Sequence, residues 1–441
     1  MPPRITIKRA SIIIITLVPL FLLFQWTSTA SAIQSEAIEL QKHVKGVLLS
    51  ASGSPQSYVV KGSRGVVITG PGKSVDMAVM AAILLRETGC QLPIEYAYLS
   101  NEMNEQQLET LRKHNITPRD FLTPEIQSYN WGHEELRLGA PKVAAILSSP
   151  FEQVLHLDPD IMPLRDPTYL FTTKTFQKYG ALFWPDFRST SRKNPIWKLT
   201  STPYTFEFEF ESGQIVLDKS RSSVLRGLTV AHYFCEHAAF YFHYMWGDKD
   251  AFRWGFKMAG SEYFLNRNQL VSVGLVVNSR NQRGNVTLKA DGSSLNLPGN
   301  GAIDPIYPHL KTNRVKLSFW SGRYCGQSML QMDFDDSLGS AAFEPTPLFL
   351  HANGVKHKHA YYDDIPPFQV SEMYMMPQGQ TLTDLEVGDY TWVGSLRGQA
   401  ECHRLTKYSG VDIVHIDFMK AYQGVNERYM RARRIAMGPS Q

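Results

Sequence analysis

The chain predicts an α/β fold with a mainly parallel central sheet. Three observations carry that expectation. Short apolar runs stop at glycine-rich or acidic turns: Val66-Val67-Ile68 precedes Thr69-Gly70-Pro71-Gly72, and Leu155-His156-Leu157 precedes Asp158. Helical periodicity fills the stretches between such runs, and a helix that returns the chain across a sheet makes successive strands parallel. The 441 residues are 43% hydrophobic and 12% aromatic, enough for a sizeable core and against disorder of the whole chain. Ligands of such sheets bind at the carboxyl ends of the strands.

The elements follow in chain order. Residues 1–10 carry Arg4, Lys8 and Arg9, and residues 11–26 are almost wholly apolar. As a helix that run is roughly 24 Å long. Ala10 and residues 27–30 extend it toward a bilayer core of about 30 Å, and the basic residues in front hold that end in the cytosol. The reading is a cytosolic tail (1–10), a signal-anchor helix (11–30) and a stem (31–60) that is partly helical around residues 37–49. A cleaved signal peptide also fits, because Ala30-Ser31-Ala32 is a small-x-small site. Either reading puts the remainder in an oxidising compartment. Cys90, Cys235, Cys325 and Cys402 are then open to one or two disulfides, with three full connectivities, or stay as buried thiols; their spacing is not that of a zinc site. Asn115-Ile116-Thr117 and Asn285-Val286-Thr287 are glycosylation acceptors, the first weakened by Pro118.

The main domain is expected over 61–360, with a C-terminal extension (361–441) packed on it. Its first strand is Val66-Val67-Ile68. Ser74 caps a helix with Val75, Ala78, Val79, Ala82 and Leu85 on one face, and Gly89 stops it. Residues 92–99 alternate as a second strand, and 104–114 fit a helix. Pro141 opens a further helix with Val143, Ala144 and Leu147 on its face, and residues 153–157 make a third strand. Beyond them, residues 215–217, 271–277 and 348–350 read as strands, 224–246 as an aromatic-rich helix and 279–302 as a polar loop. The formal net charge of +4 is small, and no RNP-type motif or zinc finger accompanies it, which excludes a nucleic-acid partner.

The strongest chemical signal is Asp158-Pro159-Asp160 at the end of a strand. In a tight turn both carboxylates face one side, and paired hard oxygens suit Mn²⁺ or Mg²⁺. Such an ion neutralises a departing diphosphate. Glycosidase carboxylates, by contrast, stand about 5–9.5 Å apart across a sugar. A P-loop is excluded, because Gly70-Pro71-Gly72-Lys73-Ser74 lacks the first glycine, whose place is taken by Val67. Trp131, Trp184, Trp197, Trp246 and Trp254 are divided between core packing and stacking on sugar faces.

The stretch from Gln153 to Phe171 resembles the Asp-x-Asp region of the fungal Golgi α-mannosyltransferases of the mannan-branching or mannan-capping type. Further segments resemble that family in the same order: Leu85 to Glu95, Gly180 to Asp186, Glu211 to Lys219, and Gly247 to Phe252. The resemblance covers about residues 60–360. It implies a GT-A-like fold and a type II anchor in the Golgi membrane with the catalytic domain lumenal. It also implies retaining α-1,2 or α-1,3 transfer of mannose from GDP-mannose to mannose-terminated glycans of glycoproteins or cell-wall mannan. The residues alone leave open a transferase for another hexose, or a non-catalytic sugar-binding wall protein.

The resemblance also implies roles. His351, in His351-Ala352-Asn353-Gly354, joins Asp158 and Asp160 on Mn²⁺ (or Mg²⁺), and Lys356 or Lys358 meets the diphosphate. No Lys-Pro-Trp follows that glycine. Gly70 and Gly72 let the backbone approach the nucleotide. Asp186 holds donor-sugar hydroxyls, and Glu211, Asp248 and Lys249 lie near the reacting carbon or the acceptor.

Overall fold

The computed structural model describes residues 33–46, 48, 58–121, 140–277, 289–290, 314–316, 323–334, 336, 345–355, 366–375, 382–396 and 400–437. The anchor expected at 11–30, Trp131, the Asn285 acceptor, Lys356 and Lys358 lie outside them. Among the described residues no helix is long and apolar enough to cross a membrane.

The apolar runs lie in one sheet, which opens with four parallel strands. These are β1 (Val60–Thr69), β2 (Ile94–Tyr98), β3 (Ile116–Asp120) and β4 (Phe151–Leu157). They lie in the order β3-β2-β1-β4, all parallel. Helices α1 (Val75–Glu87), α2 (Glu105–Lys113) and α3 (Ala140–Ser148) make the crossovers. Asn104 caps α2 by accepting from the Gln107 amide. The edge strand β3 has no counterpart in the sequence expectation. Pro118 argues against a strand interior, yet an edge strand tolerates it, and β3 pairs only with β2.

After β4 the chain makes β5 (Ile161–Pro163), β6 (Ala181–Ser189), β7 (Phe208–Asp218) and β8 (Phe264–Leu265). β7 runs antiparallel to both β4 and β6, and β8 lies parallel to β6. Helix α4 (Ser222–Glu236) packs on α5 (Asp248–Met258), which lies against β7. Their aromatic residues join Phe183, Phe210 and Trp254 in one core. That core also takes in Leu40 and Val44, so a helix over residues 33–46 docks on the domain.

A second sheet corrects the expectation of one mainly parallel sheet. It comprises β9 (Val271–Val277), β10 (Lys289–Ala290), β11 (Arg314–Lys316), β12 (Arg323–Met332), β13 (Pro347–His351), β14 (Val370–Met375), β15 (Tyr390–Leu396), β16 (Ala400–Leu405) and β17 (Asp412–Asp417), joined by β5. All its pairings are antiparallel. Among the described residues no helix lies between Met258 and Phe418, and parallel strands need such crossovers. The final helix α6 (Val425–Met437) packs on α1, so residues 361–441 supply strands and a helix to this half of the molecule. Cys325 and Cys402 form a disulfide between β12 and β16, while Cys90 and Cys235 are buried free thiols.

The two sheets meet where β4 ends. β4 belongs to the first sheet and β5, three residues later, to the second. The Asp158-Pro159-Asp160 turn is therefore the hinge between them.

Candidate metal centre and its surroundings

The turn is fixed by the main chain. The Asp158 amide donates to the Gly213 carbonyl (2.7 Å), the Ile161 amide to the Asp158 carbonyl (3.0 Å) and the Ala352 amide to the Asp160 carbonyl (3.0 Å). β13 pairs His351 with Ile161, so strand pairing carries a histidine from far along the chain to the acidic turn. One ligand atom each from Asp158, Asp160 and His351 lies within 4.8 Å of the others. Two carboxylates and an imidazole suit Mn²⁺ or Mg²⁺ chemically, and these residues fit a divalent cation.

His351 stands between two carboxylates. Nε2 is 3.3 Å from Asp160 Oδ1, and Nδ1 is 3.3 Å from Glu211 Oε1. Burial works against its charge, but Asp160 and Glu211 outweigh it and push the imidazole up to about 10. Burial likewise raises Glu211, yet His351, Lys249 and the Gly213 amide hold it at about 2. Gly213 is required here: a Cβ at that position would lie 2.9 Å from His351 Nδ1 and from Ile161. The Glu211-Ser212-Gly213 segment thus serves to seat the histidine.

Lys142, on the first turn of α3, is the residue that sequence reasoning missed. Its ammonium lies 2.9 Å from Asp158 Oδ1, 3.0 Å from Asp248 Oδ2 and 2.8 Å from Ser212 Oγ. Burial opposes its charge, but the two carboxylates win and hold it protonated. Asp158 is pushed up by burial, against the pull of Lys142. Lys142 therefore ties the acidic turn to the N-terminus of α5.

A second buried charge cluster adjoins. Lys249 pairs with Asp186 and, at 2.9 Å, with Glu209. Burial raises the Asp186 carboxyl and Lys249 opposes that rise. The structure thus joins Asp158, Asp160, His351 and Glu211 directly, Asp248 through Lys142, and Asp186 with Lys249. Gly70 sits at the same sheet end, two residues past Ile68, which is paired with Leu157. A Cβ on Gly70 would lie 2.9 Å from the Tyr96 hydroxyl, and one on Gly72 2.4 Å from the Glu102 carbonyl. The close approaches at these glycines are thus to the chain itself.

Of the tryptophans, Trp184, Trp197 and Trp254 are core, whereas Trp246 is 62% exposed. Lys142 gave no sequence signal, because a lysine beside the apolar face of an amphipathic helix reads as solvated. Glu209 gave none either, since glutamates alternate along residues 207–211 as they do on a half-exposed strand.

A family model described as "Mannosyltransferase putative" matches residues 63–202 and 202–333. The alpha-1,2-mannosyltransferase MNN23 of Candida albicans is 30% identical over 181 residues, 38% of this chain and 28% of that protein. The alpha-1,2-mannosyltransferase MNN2 of Saccharomyces cerevisiae is 28% identical over 167 residues, 36% of this chain and 25% of that protein. The chain thus spans about a quarter of the length of these relatives. Among solved structures, core-mannan synthase A of Aspergillus fumigatus in its Mn/GDP form is 10% identical, with a TM-score of 0.33 over 50% of this chain and 77% of that one.

Proposed function

The chain belongs to the mannosyltransferase family whose model spans it from residue 63 to residue 333, and we propose that it is a GT-A-type retaining enzyme transferring mannose from GDP-mannose to a mannose-terminated glycan. The observation that carries this reading is the convergence of Asp158, Asp160 and His351 from two strands separated by most of the domain. In the reading, these three hold Mn²⁺ or Mg²⁺. When bound, that cation supplies charge neutralisation for the departing diphosphate.

The chain's own groups do the rest. Lys142 keeps Asp158 turned toward the site and neutralises Asp248. Glu211 orients the His351 ring from behind through Nδ1, as a carboxylate behind a ligating histidine commonly does. Asp186, held by Lys249, offers a carboxylate to sugar hydroxyls. Lys356 is assigned to the diphosphate, and residues 11–30 to a type II anchor in the Golgi membrane with the domain lumenal. The α-1,2 activity of the relatives supports that linkage, and the α-1,3 alternative is decided by the product.

The test uses the full chain in detergent. Mn²⁺ plus GDP is expected to raise Tm, since a ligand of the folded state stabilises it by mass action. GDP-mannose with α-mannobiose is expected to give a trisaccharide whose linkage is read by NMR. Asp160→Asn is expected to lower transfer at least about a thousandfold and to abolish the Mn²⁺-dependent gain in Tm. Its basal Tm falls too, because His351 loses one of its two carboxylates, so the gain and not the baseline is the readout. Near-normal turnover by Asp160→Asn would sink the metal assignment. Transfer from UDP-sugars but not GDP-mannose would move the enzyme to another hexose.

A further inference from the structure

Among the described residues, Trp246 is the most exposed of the large hydrophobic side chains, at 62%. Single exposed apolar residues are ordinary, but this one is held in place. Its amide donates to the buried Asp250 carboxylate at 2.8 Å. The following Gly247 takes the left-handed backbone (φ 71°) that turns the chain into α5. The Arg188 guanidinium carbon lies 4.9 Å from the Trp246 ring centroid and 4.6 Å from that of Tyr390. Arg188 is thus clamped between two aromatic rings, in an arrangement where cation and ring attract each other. Tyr390 is itself braced edge-on by Phe187 and His403.

This platform is linked to the candidate metal centre by two routes. Along one, Asp158 reaches Lys142, Lys142 reaches Asp248, and Trp246 lies two residues before Asp248. Along the other, His351 reaches Glu211 on β7, whose β6 partner is Trp184. Asp186 and Arg188 follow on β6. The Tyr390 phenol, raised mainly by burial and next by Asp186, belongs to the same neighbourhood.

We infer that Trp246, Arg188 and Tyr390 form the subsite that seats the acceptor saccharide, with the indole face stacked on the C–H face of a neutral pyranose. The inference rests on the transferase reading and adds to it the place of the acceptor. A rigid, solvent-facing indole offers apolar area at low ordering cost, and a sugar ring has one face of carbon-bound hydrogens. The donor's charged diphosphate belongs with the cation, and the exposed indole face suits a neutral ring.

The experiment titrates α-linked mannotriose into the full chain saturated with Mn²⁺ and GDP, read by tryptophan fluorescence and saturation-transfer NMR. The wild type is expected to bind with a change in indole emission. Trp246→Ala is expected to weaken binding at least about fivefold, the scale of one lost aromatic contact. Trp246→Phe retains affinity within about threefold but loses the emission change. In transfer assays KM for the saccharide rises in Trp246→Ala far more than kcat falls. Wild-type affinity in Trp246→Ala, or no binding by the wild type, overturns the subsite. The transferase reading is judged separately, by whether Mn²⁺ plus GDP raises the wild-type Tm. If it does not while the saccharide still binds through Trp246, the platform stands as a sugar site and the enzyme assignment falls.

Discussion

Lys219 is buried with its ammonium spread over the carbonyls of Ile146 (3.0 Å), Leu147 (3.4 Å) and Ser149, where α3 ends. Burial first, and Arg119 next, lower its pKa to about 7 against the opposing pull of Glu95. The folded value is therefore below the unfolded one of 10.5. Between these values the unfolded chain binds a proton that the folded chain does not, so stability rises with pH from about 7 to about 10.5. Below that window both states are protonated, and above it neither is. One proton is at stake, so the slope is at most about 1.4 kcal/mol per pH unit. Lys219→Met is expected to remove it. Urea unfolding of both proteins at pH 7, 8 and 9 measures the difference, and parallel profiles would show that Lys219 stays charged throughout. At this scale the sequence disclosed the groups that sit in motifs: Asp158 and Asp160 end a strand, and His351 heads a recognisable tetrapeptide. Lys142 and Glu209 matter through partners as far as 248 − 142 = 106 residues away, which only the fold brings near. No local pattern marks such residues.

Among the elements, α4 and α5 cross at two glycines. A Cβ on Gly255 would lie 2.5 Å from the Ala231 amide nitrogen and 2.6 Å from the Gly227 carbonyl. Both are backbone atoms and cannot swing aside. Alanine would gain about 1 kcal/mol of helix propensity, but overpacking costs about 1–3 kcal/mol. Gly255→Ala is expected to be destabilising by roughly 1–2 kcal/mol. It also pushes away the helix whose first turn carries Asp248 and Lys249, so transfer falls with stability. Thermal unfolding and initial rates check both, and a Tm above wild type would mean that the crossing has slack. Helices and inner strands before residue 160 were legible because their apolar periodicity is long and capped. The strands after residue 270 were only partly legible. They are short, they alternate weakly, and their partners lie in remote segments, as β14 with β17 and β13 with β5.

For the molecule as a whole, the last helix closes the structure. α6 places Val425, Tyr429 and Ala432 in one core with Met80 and Leu84 of α1, and Arg428 and Arg431 pair with Glu87. The ion pairs are partly exposed and contribute little. The apolar contacts contribute about 1.5–3 kcal/mol for each large side chain. Removing residues 425–441 uncovers several of these at once, against a total stability of about 5–15 kcal/mol. The truncated chain is expected to unfold below the wild-type Tm by well over ten degrees, or to be recovered only as aggregate. It is also expected to gain nothing from Mn²⁺ plus GDP, and a truncated protein with that gain intact would show that α6 is dispensable. The parallel half was readable from alternation of strand and helix, whereas the antiparallel half was not, because its order depends on which remote segments find one another.

The hinge at Asp158-Pro159-Asp160 has a consequence for how the chain is made. Asp160 leaves the ribosome 351 − 160 = 191 residues before His351. At about 5–20 residues per second the interval is roughly 10–40 s. Throughout it β5 has no β13 beside it, and the acidic pair has no imidazole. The nascent chain therefore carries an unpaired strand edge and a half-built cation site for much of its translation. Chaperones that meet the nascent domain in that state do so long before Cys402 arrives to close the disulfide.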